Sequence, residues 1–332
     1  MMHTTNSMSE NELLRLNHAT LLYGNVIGVN DIDVALPTGA YALIGPNGAG
    51  KSTLIGLLTG ALKPTLGDVR VLGSDPFRSP SVLGRIGLCP ATDILLHNVS
   101  ARKWLELQLA LSGWRRRDAS QRVQELLEQV DLVGAADRPL HTYSLGMRQR
   151  CKFAQAIAHR PELLILDEPF NGLDPVARHQ LTQLLIEWKE SGRSLIIANH
   201  VLHEAEKITD SFLLIYGGRL LASGTAGELH RLLSSLPQEF EIECNDPRLL
   251  ASLLARETWT RSLDLEDAQG RLRIAIEKPL EFYAALCGWS TSHNLQIDRL
   301  LGADGDISQL FRLLVSKHRG EVFHSSPIKR LS

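Results

Sequence analysis

The run Gly45-Pro46-Asn47-Gly48-Ala49-Gly50-Lys51-Ser52-Thr53 has the residue types and spacing of a phosphate cradle. Glycines at 45, 48 and 50 let the backbone turn tightly enough for successive N–H groups to face one anion. A helix that follows adds its positive dipole end at the same place. Such a loop binds a polyphosphate. Lys51 would reach the terminal phosphates as a point charge, the Ser52 hydroxyl would be one ligand of a magnesium ion, and Thr53 would brace the loop.

Three further groups fit this chemistry. Leu163-Leu164-Ile165-Leu166-Asp167-Glu168-Pro169 reads as a buried strand delivering two carboxylates. Side chains alternate along a strand, so Asp167 and Glu168 are expected to point apart and take different tasks: Asp167 holds magnesium, directly or through water, and Glu168 polarises an attacking water. A second apolar run, Ser194 to Asn199, places His200 at its end, where a ring N–H can sense a phosphate. Ser144, before Leu145-Gly146-Met147, has the character of an N-cap and makes a second anion-binding helix start.

These residues need a framework in which strand ends meet. Ala40 to Ile44 is an apolar run suited to a strand buried on both faces of a parallel sheet, and ligands bind such sheets at the carboxyl ends of the strands. After the cradle, Leu54, Leu57, Leu58, Ala61 and Leu62 mark one helical face that Pro64 closes. Leu13 to Leu22 begins the fold. Tyr23 follows it, before a turn at Gly24-Asn25, where its ring could stack on a purine or simply line the rim.

Strands are expected at Gly67 to Gly73 and Arg85 to Cys89. From Asn98 to about Arg160 the pattern is helical, an insertion within an α/β domain, with Arg115 to Arg117 as a solvated loop at its tip and the helix opened by Ser144 running to about His159. Asn171 to Asp174 is a turn, Val176 to Glu190 a helix, and Phe212 to Tyr216 with Arg219 to Ala222 a hairpin. Beyond residue 230 the order is strand Phe240 to Cys244, helix Arg248 to Arg256, strand Arg261 to Leu265, strand Leu272 to Glu277, helix Leu280 to Cys287, strand Leu295 to Leu300 and helix Ile307 to Val315. Without its last helix this is a split βαβ pattern.

Composition narrows the function. The 332 residues suggest about two domains, and 35 Lys and Arg against 37 Asp and Glu leave a net charge of −2. Nucleic-acid binders show a basic excess, so none is expected as a partner. The four cysteines, at 89, 151, 244 and 287, form no C-x-x-C pair and fit reduced thiols in the cytosol. No apolar run approaches the roughly 18 residues that a membrane span needs, and Met1 to Glu10 is not signal-like.

Taken together, the cradle, the downstream Asp-Glu, the helix start between them and the trailing His resemble the ATP-binding subunits of ABC transporters. The resemblance spans residues 12 to 230 and implies a P-loop NTPase α/β domain over residues 12–229, with its helical signature subdomain at 98–160. A small α+β domain of the split βαβ kind would follow at 230–317, with flexible tails at 1–11 and 318–332. It implies the following assignments: Gly45 to Ser52 as Walker A, Leu163 to Glu168 as Walker B with its catalytic Glu, Asn171 to Asp174 as the D-loop, His200 as the switch histidine and Tyr23 as the A-loop aromatic. Tyr143 to Met147 resembles a signature variant found in exporter subunits. In this family the signature of one subunit caps ATP held by another, a role that would fall to Ser144 and the Gly146 N–H.

The expected activity is magnesium-dependent ATP hydrolysis powering transport, as export, through separate transmembrane permease subunits. The protein would sit peripherally on the cytoplasmic face of the membrane, with a second ATPase subunit as homodimer or heterodimer partner. One position departs from the pattern. The family usually has Gln at the end of the strand before the insertion, and this chain has Ala91. A methyl group can neither ligate a metal nor orient water. Thr92 or Asp93 substitutes, or hydrolysis is slow or coupled differently. A soluble ABC ATPase of translation or repair usually has two cassettes or a long coiled coil. A P-loop kinase leaves Ser144 to Met147, Asp174 and His200 unexplained.

Overall fold

The computed structural model describes residues 12–302 except 97, 226, 229–230, 232–236 and 267–270. The anticipated tails at 1–11 and 318–332 and the helix at Ile307 to Val315 lie outside the described residues. The chain divides into two compact units between residues 226 and 227.

The first unit begins with β1 (Glu12–Tyr23), β2 (Val26–Pro37), β3 (Ala40–Ile44), α1 (Lys51–Leu58), β4 (Leu66–Val71), α2 (Pro80–Leu83) and β5 (Ile86–Cys89). The helical insertion supplies α3 (Ala101–Leu111), α4 (Arg116–Gln129) and α5 (Leu145–Ile157). There follow β6 (Leu163–Asp167), α6 (Pro175–Glu190), β7 (Ser194–Asn199), α7 (Leu202–Glu206), β8 (Ser211–Tyr216) and β9 (Arg219–Thr225).

Six strands form one sheet in the order β5-β6-β7-β3-β8-β9. All are parallel except β9, which turns back on β8 as a hairpin. The register is level at one edge: Ile44 pairs with Asn199, Asp167 with Ala198 and Cys89 with Leu166. The cradle, the two acids, His200 and the Ala91 loop therefore leave the sheet side by side, as a parallel sheet requires. A separate antiparallel sheet, β2-β1-β4, packs in the same core as α1.

Alternation along β6 explains how one strand serves two cores. Leu163 and Ile165 join the cluster containing α1 and β1, whereas Leu164 and Leu166 join the cluster of the helical insertion. In the latter, Phe153, Leu105, Leu109, Leu126 and Trp188 are essentially inaccessible, each burial contributing about 1.5–3 kcal/mol. The Trp104 ring N–H donates to Gln155 Oε1 at 2.9 Å, tying α3 to α5.

Several elements differ from the sequence expectation. Helix α1 ends at Leu58, not near Pro64, and Leu62 folds back so that its N–H donates to the Gly56 carbonyl at 2.9 Å. Its side chain still packs on the core that periodicity assigned to it. Arg115 to Arg117 is exposed as expected, but Arg116 and Arg117 open α4, with Arg115 as its N-cap, instead of lying in a loop. Tyr23 is the last residue of β1, and α5 stops at Ile157. Strand β2 and the short helices α2 and α7 are additional.

The second unit contains β10 (Gln238–Cys244), α8 (Pro247–Leu254), β11 (Thr260–Glu266), β12 (Arg271–Ile276), α9 (Pro279–Ser292) and β13 (Ile297–Gly302). Its sheet runs β11-β12-β10-β13 with every neighbour antiparallel. This is the interleaved order of the split βαβ arrangement. Its own core holds Phe240, Ile242, Trp259 and Phe282, with the Phe240 and Phe282 rings 4.8 Å apart.

Candidate functional site

Gly50 sets the geometry of the cradle. It has φ +105°, a conformation that strains any residue with a side chain, and an added Cβ would stand 2.5 Å from the Gly28 carbonyl oxygen. The first-turn N–H groups of α1, which have no intrahelical acceptor, open beside it. Lys51 is 6% exposed and folds back over the loop, its ammonium donating to the carbonyls of Gly45 at 2.8 Å and Pro46 at 3.2 Å.

The acids emerge next to this lysine. Ser52 Oγ donates to Asp167 Oδ2 at 2.8 Å, while Asp167 Oδ1 is buried without a hydrogen-bond partner. Burial pushes the Asp167 carboxyl up from its usual range; the Ser52 hydrogen bond opposes this, and the neighbouring Glu168 charge adds to it. Glu168 lies one residue past β6 with φ +49°, so its divergence from Asp167 comes from a left-handed backbone as well as from strand alternation. Its Oε1 lies 3.1 Å from Lys51 Nζ as an ion pair not aligned as a hydrogen bond. Its Oε2 lies 2.7 Å from His200 Nδ1.

His200 is positioned by its neighbour. Asn199 Oδ1 accepts the N–H groups of His200 at 2.7 Å and Val201 at 3.2 Å, and Asn199 Nδ2 donates to the buried Glu204 at 2.9 Å. Glu204 also pairs with Arg178 on α6, which donates to the Leu173 carbonyl in the Asn171 to Asp174 turn. Nothing in the local sequence singled out Asn199, Glu204 or Arg178, because their relation is formed only by folding.

Tyr23 stands beside α1, 49% exposed, its hydroxyl 3.5 Å from Thr53 Oγ1. An added Cβ at Gly28 would stand 2.8 Å from the Tyr23 ring, so only glycine admits the ring there. Asn47 and Gly48 are exposed, and Ala49 is buried.

The signature residues form a second group. Ser144 caps α5, accepting the Met147 N–H at 3.2 Å, and Asp174 caps α6, accepting the Ala177 N–H at 2.8 Å. The two helix starts touch: a Cβ at Gly146 would lie 2.7 Å from Ala177 Cβ, and one at Gly172 would lie 2.9 Å from Leu145 Cδ2. Leu145 is 43% exposed and Met147 half-buried. Among the described residues, no hydrogen bond or ion pair joins Ser144 to Met147 with the cradle. The structure thus brings together Gly45 to Thr53, Asp167, Glu168 and His200, and separately Ser144 to Met147 with Asp174.

In the loop after β5, Ala91, Thr92 and Asp93 are exposed. Asp93 is committed elsewhere, accepting the Leu95 N–H at 3.1 Å and pairing with Arg148 Nε at 3.1 Å. No described helix is long and apolar enough to cross a membrane.

The chain is similar to known proteins of one family. The ABC transporter family model matches residues 29–171. The Nod factor export ATP-binding protein I of Cupriavidus metallidurans is 32% identical over 83% of this chain and 90% of its own length. The daunorubicin/doxorubicin resistance ATP-binding protein DrrA of Streptomyces peucetius is 32% identical over 82% of this chain and 83% of its own. The solved cbiO1 of Clostridium perfringens, part of the ABC transporter complex cbiONQ, is 25% identical and superposes with a TM-score of 0.61 over 67% of this chain and 92% of its own. With relatives of this kind matched over most of both chains, the chain belongs to the ATP-binding subunits of ABC transporters.

Proposed function

We propose that this protein hydrolyses magnesium-ATP to drive export through separate permease subunits, with the catalytic groups in the positions described above. The observation that carries this reading is the placement of Glu168 between Lys51 and His200 at the level edge of the sheet. Lys51, now folded onto its own loop, would hold the β- and γ-phosphates. The first-turn N–H groups from Lys51 to Thr53 would cradle them, and Tyr23 would stack on the adenine. Glu168 is the base that polarises the attacking water. His200 orients that carboxylate through Nδ1 and contacts the γ-phosphate.

The residues present fit magnesium. Asp167 Oδ1 is buried and unpaired, and Ser52 Oγ already lies on the other carboxylate oxygen, so a hard divalent ion would find oxygen donors there. Ser52 would hold it directly and Asp167 directly or through water. Bound there, it supplies positive charge against the phosphate oxygens.

Ser144, Leu145, Gly146 and Met147 would complete the site of a second ATPase subunit, since in their own chain they make no polar contact with the cradle. Asp174 would lie at that same junction. A homodimer is the simplest assembly and a heterodimer the alternative. The export direction rests on relatives whose names record Nod factor export and drug resistance, and the place of action is the cytoplasmic face of a membrane. The second unit, 227 onward, supports regulation or dimerisation. The test is phosphate release from the purified chain with and without magnesium, together with recovery of a multi-helix membrane protein in pull-down. Absence of turnover both alone and with that partner refutes the reading.

A further inference from the structure

Lys152 is a buried cation to which the site described above gives no task. It projects from the middle of α5, is 4% exposed, and among the described residues has one hydrogen-bond acceptor, the Ala91 carbonyl, at 3.5 Å. That distance is the outer limit of a hydrogen bond, and an ammonium has three donors. A buried charge so poorly satisfied costs the fold stability, and a task at the site would account for its presence. One turn earlier on the same face, the buried Gln149 amide lies 3.6 Å from Cys89 Sγ at the end of β5. This face of α5 therefore abuts the end of β5 and the loop that follows it. Cys89 pairs with Leu166 in the sheet, so the loop held by Lys152 leaves the sheet next to Asp167.

The same loop contains Ala91, whose methyl group offers nothing to water or phosphate. Asp93 is held by Arg148, likewise from α5. The loop is thus tied to the signature helix at two points, by Arg148 to a carboxylate and by Lys152 to a carbonyl. We propose that Lys152 is a positioning residue of the hydrolytic site, which fixes the 90–93 loop from the signature helix in place of a polar side chain at 91. Thr92 and Asp93 are not needed for that role. The inference rests on the reading of Asp167 and Glu168 as the hydrolytic acids.

The experiment uses the full chain with four substitutions: Lys152→Met, Ala91→Gln, both together, and Glu168→Gln as reference. Lys152→Met should lower kcat roughly tenfold while KM for ATP stays within about twofold, the mark of a lost transition-state interaction. The nucleotide-free Tm should stay within about 3 °C of the parent or rise, because the substitution removes a buried charge and keeps its volume. Ala91→Gln should leave the parent within about twofold yet recover at least about threefold of the kcat lost in Lys152→Met.

An unchanged kcat in Lys152→Met overturns the proposal. So does an equal effect of Ala91→Gln in both backgrounds, or a Tm fall well beyond about 3 °C, which marks a purely structural cation. If Lys152→Met does not fold, Lys152→Gln is judged by the same readouts, and loss of folding in both overturns the proposal. Intact turnover in Glu168→Gln would instead refute the underlying site, whereas loss there with none in Lys152→Met refutes only the role of Lys152.

Discussion

Replacing Glu168 by glutamine should separate nucleotide binding from turnover in opposite directions. The carboxylate is 13% exposed and shared, with Oε1 3.1 Å from the Lys51 ammonium and Oε2 2.7 Å from His200 Nδ1. Glutamine keeps the shape but carries no charge, so it can neither take a proton from water nor hold Lys51 as an ion pair. Loss of a general base costs about 10²–10⁴ in rate, or about 2.7–5.4 kcal/mol of barrier. Binding should gain. In the nucleotide-free chain Lys51 is partly neutralised by Glu168, and the same negative charge repels an arriving γ-phosphate. Removing it should be worth about 1–2 kcal/mol, or roughly five- to thirtyfold in Kd for magnesium-ATP. Phosphate release measures the first effect and equilibrium titration with a fluorescent ATP analogue the second. A variant with turnover within threefold of the parent would refute Glu168 as the base. One that binds ATP more weakly than the parent would refute the competition at Lys51.

Other outcomes follow from the same geometry. Lys51→Ala should weaken ATP binding by about tenfold or more, since it removes the cradle's only buried cation, and unchanged titration would contradict that. In the Glu168→Gln background, magnesium-ATP should convert monomer to dimer on a sizing column and Ser144→Arg should prevent it; a dimer that persists in Ser144→Arg counts against capping in trans. Native alkylation followed by mass spectrometry should label Cys287, which is exposed, and spare Cys89 and Cys151. Burial pushes those two thiols up to about 11 and about 12, so near pH 8 almost none of the reactive thiolate is present. A chain ending at residue 230 should retain nucleotide affinity within about threefold, because the second unit has a core of its own; loss of affinity in a folded truncation would contradict that independence.

The turn from Gly45 to Gly50 and the strand that ends at Asp167 were legible because each is local, although folding alone joins Ser52 to Asp167. The parallel strands that carry them read clearly too, as short apolar runs buried on both faces. Strand β2 was not legible because Asn30 and Asp31 interrupt its apolar pattern, and Asp31 has φ +52° in the middle of it. The end of α1 was misplaced for a related reason. Leu62 packs on the same core as the helix that precedes it, so the apolar period runs on after the helix has stopped. Lys152 was hidden differently. Between Met147 and Phe153 it belongs to a run of polar residues that reads as solvated, and only the packing of α5 against β5 buries Gln149 and Lys152 while Arg148 and Arg150 stay partly exposed.

In the proposed dimer, that packing would link hydrolysis in one subunit to its junction with the other. The N-terminus of α5 presents Ser144 and Gly146 outward, where Gly146 meets Ala177 on α6 so closely that any side chain at 146 would separate the two helices. Its middle holds the loop after β5, and α6 is capped by Asp174, the last residue of a turn whose Leu173 carbonyl is reached by Arg178. Arg178 in turn pairs with Glu204, which holds Asn199 and so the backbone of His200. A helix 13 residues long touches both α6 and the 90–93 loop, so a displacement of its N-terminus would be expected at that loop as well. Gly146→Ala tests this chain of contacts. It should wedge α5 from α6 and lower ATP turnover by roughly tenfold, while affinity for ATP in the monomer, set by Lys51 and the α1 N-terminus, stays within about twofold. A matching loss of monomer affinity would mean that the wedge distorts the cradle itself, and that the two groups are not joined through α5 in the way these contacts indicate.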